Sequence, residues 1–137
     1  MSRTDVKEER KQSEGDPLVR ARMRSLQLER ARSRMMDAVP RADVVITNPT
    51  HISVALLYDR AEMRAPTVLA KGRGHLALRI REIAQLRGIP IVEEPPLARS
   101  LYRLVRVNQE IPERLFQAVA QVLAYVQRLD PKRRRGW

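Results

Sequence analysis

The sequence predicts an α/β domain: a small four-stranded sheet surrounded by helices and preceded by a basic N-terminal helical arm. Three observations carry that expectation. Short β-branched runs are interspersed with segments of helical periodicity, the pattern of a sheet packed by helices. Val44-Val45-Ile46 and Ile89-Pro90-Ile91-Val92 are apolar nearly throughout, as strands covered on both faces should be. Composition also breaks sharply at Pro40, where an arginine-rich stretch gives way to an apolar one.

Residues 1–15 are polar, without an apolar stripe, and read as a flexible lead-in. Asp16-Pro17 then reads as a helix start, with aspartate as N-cap and proline at the first helical position. From Leu18 to Ala38 the chain is rich in arginine and carries a thin seam of Leu28, Ala31, Met35 and Ala38. Such a helix cannot be buried all round, so residues 1–40 are expected to form a lead-in and a linker helix. Pro40 ends it. Residues 41–130 form the expected compact domain, and 131–137 a basic tail containing Lys132-Arg133-Arg134-Arg135.

Within the domain, Asp43 to Thr47 and Ile52 to Tyr58 read as two strands, and Thr67 to Lys71 as a third. Lys71-Gly72-Arg73-Gly74 has neither P-loop nor dinucleotide-binding spacing, so it reads as a strand-to-helix turn. His75 to Arg87 has Leu76, Ile80, Ile83 and Ala84 on one face, with Gly88 as its stop and His75 as a solvated first residue. After the Ile89–Val92 run, Glu93-Glu94-Pro95-Pro96 reads as a rigid exposed turn. A short helix from Pro96 to Leu104 follows, using Leu97, Leu101 and Leu104 or Val105. The last helix, Pro112 to Leu129, carries Leu115, Val119, Val122, Leu123 and Val126 as core, and Pro131 stops it.

Composition excludes several classes. The chain of 137 residues has no cysteine, which removes disulfides and thiolate metal sites. Two histidines, His51 and His75, are too few for a histidine-rich metal site, so neither metal nor cofactor is expected. A net charge of +11 and a pI near 11.2 call for an anionic partner. Nucleic acid is one class and the acidic cytoplasmic face of a membrane another. Aromatics are only 4% of the residues, a poor platform for stacking bases. No helix-turn-helix, RNP or zinc-finger pattern appears either. No stretch approaches the roughly 18–20 apolar residues of a membrane span, and the N-terminus is too charged for a signal peptide. The expectation is a soluble piece of a longer membrane protein, with the arginine-rich arm near anionic headgroups.

One motif carries chemistry. Asn48-Pro49-Thr50-His51 lies between the first two predicted strands. Asparagine usually ages by attack of the following backbone nitrogen on its side chain, but Pro49 has no N–H and closes that route. The remaining cyclisation is attack of the Asn48 side-chain nitrogen on its own backbone carbonyl, which expels the proline nitrogen and breaks the Asn48–Pro49 bond. Proline biases Asn48 toward extended geometry, a tight turn can hold it in strain, and nearby donors can stabilise the oxyanion. The dipeptide alone is also a common turn signal and leaves both readings open.

The tetrapeptide resembles the self-cleavage motif of the FlhB/YscU family, the substrate-specificity switches of flagellar and injectisome type III secretion. The similarity extends to EGDP at 14–17, RMMDAVPRADVVITNPTH at 34–51, MRAPTVLAKG at 63–72, GIPIVEEPPLARSLY at 88–102 and NQEIPERLFQAVAQVLAYV at 108–126. It favours the flagellar branch, with one departure at Ile52-Ser53, where flagellar members often carry an aromatic and a small residue. The resemblance implies the cytoplasmic domain of an export-gate protein whose transmembrane part, anchored in the bacterial inner membrane, precedes the residues given. Asn48 would cyclise and Pro49 become a new N-terminus, with Thr50 and His51 as supporting motif residues. His51 either donates a proton or fixes the loop; the second is preferred, since a single turnover needs no tuned acid. Expected partners are export-gate subunits, the hook-length ruler protein, and export substrates or their chaperones. No cofactor, no nucleic acid and a monomeric isolated domain complete the expectation. The rival is a basic nucleic-acid-binding module that stays whole. A multiple-turnover enzyme is disfavoured, because no acid, base and nucleophile set can be assembled.

Overall fold

A computed structural model describes residues 15–131 of the chain. The expected lead-in before Gly15 and the basic end Lys132–Arg135 lie outside those residues. The rest divides into two compact units, the first ending at Arg34 and the second beginning at Met35.

Helix α1 spans Pro17–Ala38. Its start is capped as its sequence requires: the Leu18 N–H donates to Asp16 Oδ1 at 2.9 Å, with Pro17 at the first helical position. None of its residues is buried, and Leu28 on the predicted seam is 51% exposed. Met35, Met36 and Ala38 are half-buried against the core of the second unit. Pro40 does not simply stop the helix; it sits inside a 3-10 turn, Val39–Arg41, that carries Val39 into the core.

The second unit holds strands β1 (Val44–Asn48), β2 (Ile52–Leu57), β3 (Thr67–Arg73) and β4 (Ile91–Glu93) in the spatial order β3-β2-β1-β4. β1–β2 and β2–β3 are antiparallel, and β1–β4 is parallel. Helices α2 (His75–Leu86), α3 (Pro95–Leu104) and α4 (Phe116–Leu129) cover the two faces. The predicted four-stranded α/β architecture is therefore observed, as a mixed sheet.

The pleat sorts residues into two cores. Val44, Ile46, Val54, Leu56 and Val68 pack under Leu97, Leu101, Val105, Val119, Val122, Leu123 and Val126 of α3, α4 and their connection. Val45, Ala55, Leu69 and Ala70 pack on the other side with Val39, Ile80, Ala84 and Ile89. Alternation from Val68 would return Ala70 to the first group. A register shift between Ala55 and Leu56 lets Leu69 and Ala70 both face the second core, as a bulge does.

Four readings from sequence need correction. Lys71-Gly72-Arg73 continues β3, and only Gly74, at φ +60°, turns the chain into α2. Gly72 is needed there for closeness: a Cβ would lie 2.5 Å from Leu76 Cβ. Glu93-Glu94-Pro95-Pro96 is not a free turn but the end of β4 and the first turn of α3, where proline costs no hydrogen bond. Residues 91 and 92 are half-buried rather than covered, because β4 is an edge strand. The last helix begins at Phe116, after a 3-10 turn at Glu113–Leu115. Of the two residues the sequence left open to complete the apolar face of α3, Val105, just past its end, is the buried one.

Lys71 joins the two layers. Its Nζ donates to the Tyr102 carbonyl at 2.8 Å, in the last turn of α3, and lies 5.1 Å from the Tyr102 ring centroid. Burial, with the nearby Arg106 charge, lowers its pKa below that of ordinary lysine. The tight β3–α2 approach yields a test. Gly72→Ala should destabilise the domain by about 1–3 kcal/mol, since both Cβ atoms sit on backbone that cannot swing away. The urea midpoint should fall with an unchanged slope.

Candidate functional site

The four motif residues form one turn at the end of the β1–β2 pair. The ladder runs from Val44 opposite Leu56 to Asn48 opposite Ile52, leaving Pro49, Thr50 and His51 to reverse the chain. The His51 N–H donates to the Asn48 carbonyl oxygen at 3.0 Å, closing a β-turn. Proline holds its own φ near –65°, and Thr50 has φ +66°. That combination matches a type II turn, whose third residue is usually glycine or asparagine.

The constraint comes from the sequence. Two-residue hairpin turns of primed type match the twist of the strands, but both primed types need positive φ where Pro49 sits. The left-handed residue is thereby displaced onto Thr50. A β-branched residue there is a genuine outlier, at a cost of about 1–3 kcal/mol.

Flanking segments hold the turn in place. The Gly74 N–H donates to the His51 carbonyl at 3.0 Å, and the Glu94 N–H donates to the Thr47 carbonyl at 3.0 Å. Below the turn, the buried Ser53 hydroxyl donates to the Ala77 carbonyl at 2.9 Å, tying β2 to α2. Asn48 and Pro49 are half-buried, whereas Thr50 and His51 are exposed. Sequence reasoning found the four motif residues and missed these backbone clamps. Gly74 carried a weak signal as a glycine after a strand; Glu94 carried none, because its contribution is a main-chain N–H.

Chemically, the turn offers an electrophile and a polarising donor. The bond from the His51 N–H falls on the carbonyl that an Asn48 cyclisation would attack. His51 is exposed, and among the described residues no group of acidic, histidine or cysteine side chains could hold a metal ion. Nor is any described helix long and apolar enough to cross a membrane.

Comparison with known proteins gives the family and the fold. Residues 1–126 match the model of the FlhB HrpN YscU SpaS family. The chain belongs to that family. It is 55% identical to the flagellar biosynthetic protein FlhB of Escherichia coli K12 over 99% of its own length and 36% of that protein's. It is 49% identical to FlhB of Bacillus subtilis over 96% of its length and 37% of that protein's. The chain thus spans little more than a third of these relatives. Among solved structures, the cytoplasmic domain of FlhB from Shewanella putrefaciens superposes with a TM-score of 0.69 at 47% identity, over 77% of this chain and 84% of that one. The PscU C-terminal domain gives a TM-score of 0.54 at 45% identity, over 57% of this chain and 99% of that one. The fold is that of an FlhB cytoplasmic domain, and the flagellar resemblance read from sequence holds.

The strained threonine can be tested by itself. In chains whose Asn48–Pro49 bond is intact, Thr50→Gly should raise stability by about 1 kcal/mol: relief of the left-handed strain exceeds glycine's entropic cost of roughly 0.5–1 kcal/mol. Chemical denaturation with the intact mass confirmed beforehand measures it.

Proposed function

We propose that this turn is a single-use self-cleavage site in a flagellar export-gate protein. The observation that carries the proposal is the Asn48 carbonyl held on the His51 N–H beside a left-handed Thr50. The Asn48 side-chain nitrogen attacks its own backbone carbonyl carbon and forms a five-membered imide. The tetrahedral oxyanion develops on the oxygen that already accepts the His51 N–H, so the donor acts where charge appears. The bond to Pro49 then breaks. The nitrogen of Asn48 gives up a proton to solvent, and the proline nitrogen takes one and leaves as a secondary amine. Strain of about 1–3 kcal/mol at Thr50, where released on the way to the transition state, is worth roughly one to two powers of ten in rate. Asn48 and Pro49 carry the reaction, while Thr50 and His51 shape the turn.

Cutting there need not disperse the fold. β1 would remain between β2 and β4, with both ladders and its buried face residues intact. What changes is the end of the sheet, where the turn opens and the surface around Pro49 is remade. On the flagellar relationship, we assign this change to the switch of export specificity from rod and hook to filament substrates. Export-gate subunits, the hook-length ruler protein, and substrates or their chaperones are the partners. Residues 1–40 act as the lead-in and linker from a membrane-anchored part in the bacterial inner membrane, 41–130 as the cleaving domain on its cytoplasmic face, and 131–137 as a basic tail.

Mass spectrometry of the purified chain tests the reaction. Two pieces, Met1–Asn48 and Pro49–Trp137, should travel together in native size exclusion and separate in denaturant, and Asn48→Ala should give a single chain. A well-folded wild-type chain that stays whole on long incubation would sink the proposal.

A further inference from the structure

The sheet has an open edge beside a groove, and neither belongs to the turn. β4 pairs only with β1, in parallel register, Ile91 opposite Val45 and Glu93 opposite Thr47. The Val45 N–H donates to the Pro90 carbonyl at 2.9 Å, and the Glu94 N–H donates to the Thr47 carbonyl at 3.0 Å. Backbone groups alternate sides along a strand, so residues 90, 92 and 94 face β1, and Ile91 and Glu93 direct their N–H and C=O groups outward. Among the described residues, no strand pairs with that outer edge.

Next to the edge lies a groove of about 690 Å³. Its apolar lining includes Val92, Leu97 of α3, and Val122 and Tyr125 of α4. Tyr125 is 46% exposed, a large ring left open to solvent at the rim. The only charged side chains lining the groove among the described residues are Glu93 and Glu94, both exposed. That is unexpected in a chain of net charge +11. At physiological salt the screening length is about 8 Å, so the two carboxylates on the groove wall act directly on whatever occupies it.

We infer that this edge and groove bind an extended, basic segment of a partner protein as an added strand. The outward N–H and C=O groups of Ile91 and Glu93 supply the ladder. Alternate apolar side chains of the partner enter the groove, and its lysine or arginine residues meet Glu93 and Glu94. Main-chain bonds then give affinity, and the groove and carboxylates give selection, the usual division in strand addition. The site lies one hydrogen bond from the residue preceding Asn48, through Glu94 N–H to Thr47. The inference does not depend on cleavage at Asn48.

The test uses the full 137-residue chain and a fluorescein-labelled nonapeptide of alternating lysine and valine, read by anisotropy and by amide shifts in NMR. Shifts should concentrate on β4, α3 and α4. Glu93→Gln with Glu94→Gln should weaken binding about tenfold, in line with two local charge pairs lost. Both side chains are exposed, so this variant should fold, which circular dichroism checks. A second peptide, with proline at alternate positions and backbone-N-methylated lysine between them, has no N–H to donate to the ladder and should bind at least tenfold more weakly with the same charge. Equal binding of the double variant or of the proline peptide overturns the inference, as do shifts confined to other surfaces. Binding that emerges only after residues 132–137 are deleted would assign the groove to the chain's own basic end, and that too overturns it.

Discussion

The rest of this domain depends on β1 being buried on both faces and paired on both edges. Val44, Val45 and Ile46 are each 0% exposed. Val44 and Ile46 belong to one core and Val45 to the other, so three consecutive residues tie both helical layers to one sheet. Each such side chain contributes about 1.5–3 kcal/mol by burial. Since β2 and β4 both take their register from β1, a one-residue slip would exchange the two cores completely. Asp43, just before the strand, adds a polar fixing point: its Oδ2 accepts the Tyr58 N–H at 2.8 Å from inside the protein.

This rigidity explains how an unfavourable turn can persist at the strand's end. A threonine at positive φ in a free peptide would relax by moving its neighbours. Here the Asn48–Ile52 pairing fixes both ends of the loop, and the Gly74 and Glu94 amides hold the carbonyls on either side. Proline removes the primed turn types. The strain is therefore held by the stability of a core that lies outside the loop. By the same pairing, β1 is joined to β2 along its whole length and to β4 from Val45 to Thr47, independently of the Asn48–Pro49 bond.

The two sheet edges are treated differently. β3, seven residues long, is shielded in part by the segment before α4: Thr67 bridges Glu110, the Val68 N–H donates to the Gln109 carbonyl, and the Asn108 N–H donates to the Val68 carbonyl. β4 has three residues and no such cover among the described residues, with acidic side chains at its exit and a groove alongside. A short, charged edge resists pairing with arbitrary strands, yet it can select one of complementary charge.

By itself the sequence determined the fold class, the helix faces and the place of the Asn48–His51 turn between two strands. Those rest on local properties: periodicity, caps such as Asp16-Pro17, and the missing N–H of Pro49 beside Asn48. It misplaced the end of β3, because glycines in a strand look like a turn until Leu76 is seen pressing on Gly72. It read Glu93–Pro96 as a free turn, because nothing local shows that the Glu94 amide is bound to Thr47. It treated residues 89–92 as fully covered, because hydrophobicity does not say which strand ends up at the edge. Only the tertiary structure decided that Thr50 takes the left-handed position and that the His51 N–H lies on the Asn48 carbonyl. Strand order and main-chain hydrogen bonds between distant segments are set by how the whole sheet closes, and no side-chain pattern encodes them residue by residue.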